Sequence, residues 1–133
     1  MEKKDIKFQS DSRHIRESSS KILKDVESYG IGEKAAFEIK LCIEEAVRNA
    51  IVHGNKSNPK RQVRLSYWVK EGVLNIEIED EGTGFNHELV KDPTKEENLL
   101  RNSGRGVHLI KKLMDSVEYN AKGNKISMAK KLK

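Results

Sequence analysis

The chain is short of several residue types, and each shortage excludes something. Cysteine occurs once, at Cys42, so no internal disulfide can form, which fits a reducing compartment. No apolar run approaches the length needed to span a membrane. The N-terminal stretch MEKKDIKFQSD has no apolar signal core. We therefore expect a cytoplasmic protein without a membrane partner. Aromatics are sparse (three Phe, three Tyr, one Trp) and do not interleave with the basic residues. The excess of 26 basic over 21 acidic residues, net +5, is small and spread out, apart from a slight concentration at Lys130, Lys131 and Lys133. That describes a solvated surface better than a nucleic-acid groove, so no direct nucleic-acid contact is expected. Prolines number two, and there is no internal repeat or Ser/Gly linker. A length of 133 residues suits one domain with one modest core, spanning 1–133.

The apolar residues that are present are well patterned. Residues 5–9 suit a short strand. Ser10-Asp11-Ser12 offers helix caps, and a helix is expected from there to about Ser28. After Tyr29-Gly30-Ile31-Gly32, a long helix is expected from Glu33 to His53, ending at Gly54-Asn55. Val63, Leu65, Tyr67 and Val69 alternate with polar residues, as do Leu74, Ile76 and Ile78 after the turn at Glu71-Gly72, so a hairpin is predicted. Residues 86–103 show no strand pattern, and a segment so long in so small a domain is usually functional. Gly104-Arg105-Gly106 opens a helix carrying Val107, Ile110, Leu113 and Met114. Strands at about 116–121 and 125–130 complete the set. Three helices and about five strands imply an α+β fold, a two-layer sandwich of one mostly antiparallel sheet covered by helices.

Three polar features stand in apolar settings. On the long helix, Phe37, Leu41, Glu45, Asn49 and His53 are four apart, which places a carboxylate and an amide on a ridge expected to face the sheet. A wet helix face is the plainer alternative, and His53 suits a helix end. On the second hairpin strand, the parity of Leu74, Ile76 and Ile78 makes Asp80 the inward end of the row, followed by Glu81-Gly82-Thr83-Gly84-Phe85. A buried aspartate beside glycines that allow close backbone approach suits a ligand, although a plain glycine turn has the same letters. Finally, Ser103-Gly104-Arg105-Gly106 stands at a helix start, where unpaired N–H groups suit phosphate.

In combination these features are more specific. A helix Glu-x-x-x-Asn, a strand-end Asp-x-Gly-x-Gly, a long segment and a Gly-x-Gly on a helix together resemble the GHKL ATPase superfamily. The match is closer to its serine-kinase anti-sigma factors. EEAVRNAIVHGN resembles their Glu/Asn box and DEGTGF their first glycine box, while DPT, ENL and SGRG resemble the lid and second glycine box. The resemblance covers roughly residues 10–130 and implies a Bergerat-type, histidine-kinase-like ATPase fold with an ATP lid over 86–103. It also implies ATP and magnesium as cofactors. By the same resemblance Glu45 is the catalytic carboxylate, Asn49 the magnesium ligand and Asp80 the reader of the adenine amino group. Gly82 and Gly84 let backbone approach the base, and Gly104, Arg105, Gly106 and Val107 meet the phosphates.

The implied function is an ATP-dependent serine/threonine-protein kinase that acts as an anti-sigma factor. It would phosphorylate an anti-sigma factor antagonist, a STAS-type domain, and sequester a sigma factor, commonly as a homodimer. The alternatives are an ATP-binding regulatory module without phosphotransfer and an accessory domain of another signalling pathway. The sequence also departs from the family. Gly123 is followed by Asn124 where the family often has Thr, which leaves Ser127 as a candidate hydroxyl near adenine. A sensor-kinase fragment, which would carry a dimerisation helix and a phosphoacceptor His ahead of the domain, is not expected.

Overall fold

A computed structural model of the chain describes residues 1–82 and 102–133, with only the backbone of 102–105. Five strands, β1 (Lys4–Gln9), β2 (Gln62–Lys70), β3 (Val73–Glu79), β4 (Ser116–Tyr119) and β5 (Lys125–Lys131), form one sheet in the order β1-β2-β3-β5-β4. Every neighbouring pair is antiparallel. The predicted hairpin is β2–β3, turning at Glu71 and Gly72, whose φ angles are 52° and 76°. Two consecutive positive φ values match the right-handed twist of the strands they join.

Alternation decides which face of the sheet is covered. Val63, Leu65, Tyr67, Val69, Leu74, Ile76, Ile78, Ile126 and Met128 are all buried. They meet the helices α1 (Arg13–Val26), α2 (Glu33–Arg48) and α3 (Asn102–Leu113) in one hydrophobic cluster. Fully burying each large aliphatic of this kind is worth about 1.5–3 kcal/mol. The expected α+β sandwich is thus the observed architecture. Central to it is α2, which packs against α1 on one side, against α3 on the other, and against β5. Cys42 lies in this core at 0% exposure, and burial pushes its thiol up to about 12, so it stays protonated. No helix among the described residues is long and apolar enough to cross a membrane.

Three local expectations are corrected. First, the long helix is α-helical only to Arg48; Asn49–Gly54 form one wide π-helical turn. Second, the ridge of residues four apart does not face the sheet throughout: Phe37 is 63% exposed and His53 is exposed, while Leu41, Glu45 and Asn49 are half-buried. At 3.6 residues per turn, each step of four advances about 40° around the axis, so a row of five winds away from any single face. Third, of the three residues offered as caps, Ser12 makes no side-chain cap on α1. Asp11 accepts the Arg13 N–H at 3.0 Å instead, and Ser10 is drawn into the core, donating to the Arg61 carbonyl at 2.8 Å.

Candidate functional site

The wide turn at Asn49–Gly54 brings the end of the long helix to the end of β3. Between them lies a cavity of about 120 Å³. Its apolar walls are Ala46, Ala50, Ile78, Val107, Ile110 and Ile126. Polar groups enter it from three elements: Asn49 and His53 from the π turn, Asp80 from the end of β3, and Asn124 from the β4–β5 connection. Single π turns inside helices recur at functional sites, because the extra residue re-aims the side chains after it. An apolar pocket with a few convergent polar groups is the usual form of a small-molecule site.

The Asp80 end is tightly built. As the strand parity predicted, Asp80 continues the inward row of Leu74, Ile76 and Ile78. Its Oδ1 accepts the Gly82 N–H at 2.8 Å. The Asp80 N–H donates to the Asn124 carbonyl at 2.9 Å, and the Asn124 Nδ2 donates to the Asp80 carbonyl at 2.9 Å. Burial raises the Asp80 carboxyl above its ordinary value, and the Gly82 N–H opposes that rise. Glycine is required here by close approach. A Cβ on Gly54 would overlap the Asp80 carboxylate, and one on Gly82 would overlap the Gly54 carbonyl.

The Asn49 end is built differently. The Asn49 Oδ1 is buried and has no hydrogen-bond partner among the described residues. A buried, unsatisfied carbonyl oxygen costs roughly 1–3 kcal/mol, so its presence beside a cavity points to a ligand that satisfies it. A hard amide oxygen is a suitable donor to magnesium, which takes few protein ligands alongside phosphates and water. Glu45, one turn earlier, does not line the cavity. Its carboxylate instead abuts α3: a Cβ on Gly106 would overlap Glu45 Oε1, and Gly106 precedes the cavity residue Val107. The other oxygen, Oε2, accepts from Arg48 Nη1 at 2.6 Å.

The structure therefore brings together Glu45, Asn49, Asp80, Gly82, Gly106 and Val107, from three separate stretches of the chain. Of Gly104 and Arg105 only the helical backbone is described, and the second glycine box lies within the first turns of α3 rather than ahead of it. Gly84 and most of the expected lid, residues 83–101, lie outside the described residues. Ser127 does not serve the cavity. It alternates with the buried Ile126 and Met128 and pairs in register with Glu77 and Glu118, on the opposite face of the sheet.

Sequence reasoning missed two residues. Asn55 is 0% exposed, and its amide ties three chain segments beneath the site. Its Nδ2 donates to Ser10 Oγ at 2.9 Å and to the Gln62 carbonyl at 3.0 Å, while its Oδ1 accepts the Glu81 N–H at 2.8 Å. Asn124 clamps Asp80 from the far side, inside a turn held by Asn120 Oδ1, which accepts from the N–H groups of Gly123 and Asn124 at 2.8 and 3.0 Å. A cluster of asparagines and glycine signals a turn, but nothing local shows what that turn will touch.

Comparison with known proteins bears on the fold and the family. The family profile described as histidine kinase-like ATPase domain matches residues 8–130. The anti-sigma F factor of Geobacillus sp. is 39% identical over 92 residues, which is 66% of this chain and 62% of that protein. That of Bacillus cytotoxicus is 41% identical over 85 residues, 61% of this chain and 57% of that protein. The chain thus spans about three-fifths of the length of the curated relatives it matches.

Proposed function

Because this chain belongs to the histidine kinase-like ATPase domain family, we propose that it is an ATP-dependent serine/threonine-protein kinase acting as an anti-sigma factor. The observation that carries the nucleotide reading is the orphaned Asn49 Oδ1 in a cavity whose other polar end is Asp80. Adenine would lie against the apolar walls with its amino group toward Asp80, since an ionised carboxylate only accepts hydrogen bonds. The phosphates would extend toward Asn49 and the glycines at the start of α3, Gly104 and Gly106, with Arg105 adding a charged contact. Magnesium, when bound, offsets phosphate charge, and Asn49 would hold it.

The protein-derived chemistry then rests on Glu45. A serine hydroxyl of the substrate attacks the γ-phosphorus. Its oxygen forms the new P–O bond as the bond to the β–γ bridging oxygen breaks, ADP leaves, and the hydroxyl proton passes to the Glu45 carboxylate. The substrate would be a STAS-type anti-sigma factor antagonist and the sequestered partner a sigma factor, with a second copy of this chain completing a homodimer. The relatives' name, anti-sigma F factor, supports the sigma-factor partner; the STAS-type antagonist and the homodimer rest on the resemblance of the sequence motifs to the serine-kinase anti-sigma factors.

The test is incubation with γ-labelled ATP and an antagonist-like STAS domain. The parent protein is expected to label a serine. Glu45→Gln is expected to bind ATP normally and to transfer about 10²- to 10⁴-fold more slowly. ATP binding by the parent with no labelling would favour instead a nucleotide-gated binding module, and co-purification of neither a sigma factor nor an antagonist would sink the anti-sigma assignment.

A further inference from the structure

We infer that Arg48 is a positioning residue for Glu45, holding the carboxylate against the start of α3 in the orientation that receives the substrate proton. The inference rests on the kinase reading above and deepens it. Arg48 and Glu45 are three apart on the last turns of α2, with Nη1 2.6 Å from Oε2. As a surface ion pair this contact would be worth little, because exposed pairs contribute about 0–1 kcal/mol. Three observations set it apart.

The first is that the two partners are unequally placed. The Arg48 side chain is 49% exposed, whereas that of Glu45 is only 15% exposed. The second is that Glu45 is engaged at both oxygens. Oε2 takes the guanidinium, and Oε1 is packed against the Gly106 backbone so closely that no Cβ fits. Among the described residues no other side chain hydrogen-bonds this carboxylate. The third is position. Asn49, whose buried oxygen awaits a ligand, is the next residue after Arg48. On the kinase reading this carboxylate stands one helical turn from the residue that meets the phosphates, and like charges repel. A permanently charged guanidinium on Oε2 offsets that repulsion and fixes the rotamer, leaving Oε1 at the α3 side. The site thereby selects one geometry for a side chain that would otherwise have several.

The experiment measures transfer and ATP binding separately. For Arg48→Ala the transfer rate is expected to fall about tenfold to hundredfold, as misplacing a catalytic group does. The dissociation constant for magnesium-ATP, by calorimetry, should stay within about twofold of the parent, which marks loss at the chemical step rather than in binding. Arg48→Lys should recover part of the rate, because the charge remains while the planar fork is lost. In the Glu45→Gln background, Arg48→Ala should cause no further loss, since a residue acting only through Glu45 has nothing left to position. Transfer by Arg48→Ala at the parent rate would overturn the inference, and so would an additive loss in the Glu45→Gln background. A loss of ATP binding as large as the loss of transfer would also overturn it, by placing Arg48 on the nucleotide itself. If the parent transfers nothing, the kinase reading falls and this inference falls with it; the parent's own labelling separates the two failures.

Discussion

Two asparagines six residues apart, Asn49 and Asn55, bound the same wide turn and have opposite fates. Asn55 is fully enclosed and uses its amide in three hydrogen bonds, joining the ends of β1, β2 and β3. Asn49 buries its carbonyl oxygen beside a cavity, with no hydrogen-bond partner among the described residues. The first is satisfied by the protein and holds the fold; the second is open among the described residues, which is where the proposed magnesium would sit. The difference separates the two ends of the site. The Asp80 end is assembled in advance through Gly82, Asn124 and Asn55, while the Asn49 end rests on one open oxygen and one ion pair.

That contrast can be broken from either side. The largest effect on the fold is expected for Asn55→Ala, which strands the Glu81 N–H and the Gln62 carbonyl together. It should cost about 2–4 kcal/mol in urea unfolding, with ATP affinity falling as the Asp80 end loosens. Next comes Asn49→Ala in the presence of magnesium. It should weaken ATP binding about tenfold to hundredfold, with the loss confined to the magnesium-dependent part of the affinity. A similar loss without magnesium would show that Asn49 does not serve the metal.

Asp80→Asn should weaken ATP binding about tenfold while stabilising the empty protein, an exchange typical of functional sites. The Gly82 N–H would hold the amide oxygen where Oδ1 now stands, leaving an NH₂ donor where Oδ2 stands. The pH dependence follows from the raised carboxyl of Asp80. A group whose folded-state value is raised contributes stability that is present at acid pH, below its unfolded value. That contribution is lost as pH rises through the folded value. The gain from Asp80→Asn should therefore be largest near neutral pH and shrink toward acid, which parallel thermal melts can follow. The smallest effect is expected for Asn49→Ala in the empty protein. Removing an oxygen that has no partner among the described residues relieves its roughly 1–3 kcal/mol penalty, and the gap left by the truncated side chain offsets part of that gain, so stability should stay level or rise by about 1 kcal/mol.

Much of this arrangement was legible in the chain. Alternation in Val63–Val69 and Leu74–Ile78 determined the hairpin, its buried face and the inward parity of Asp80, because side chains on a strand alternate with a period of two whatever packs on them. The four-residue spacing of Glu45 and Asn49 placed them one turn apart, for the equivalent reason on a helix. What periodicity did not reach was the change from α to π winding after Arg48, since both begin with the same local pattern and the outcome depends on what the widened turn packs against. Nor did it distinguish Asn49 from Asn55. The chain alone determined that an amide stands at both positions. Only the tertiary structure decided that one meets Ser10, Gln62 and Glu81, brought from distant parts of the sequence, while the other meets an opening. Hydrogen-bond satisfaction is a property of neighbours in space, and those neighbours exist only once the strands have paired.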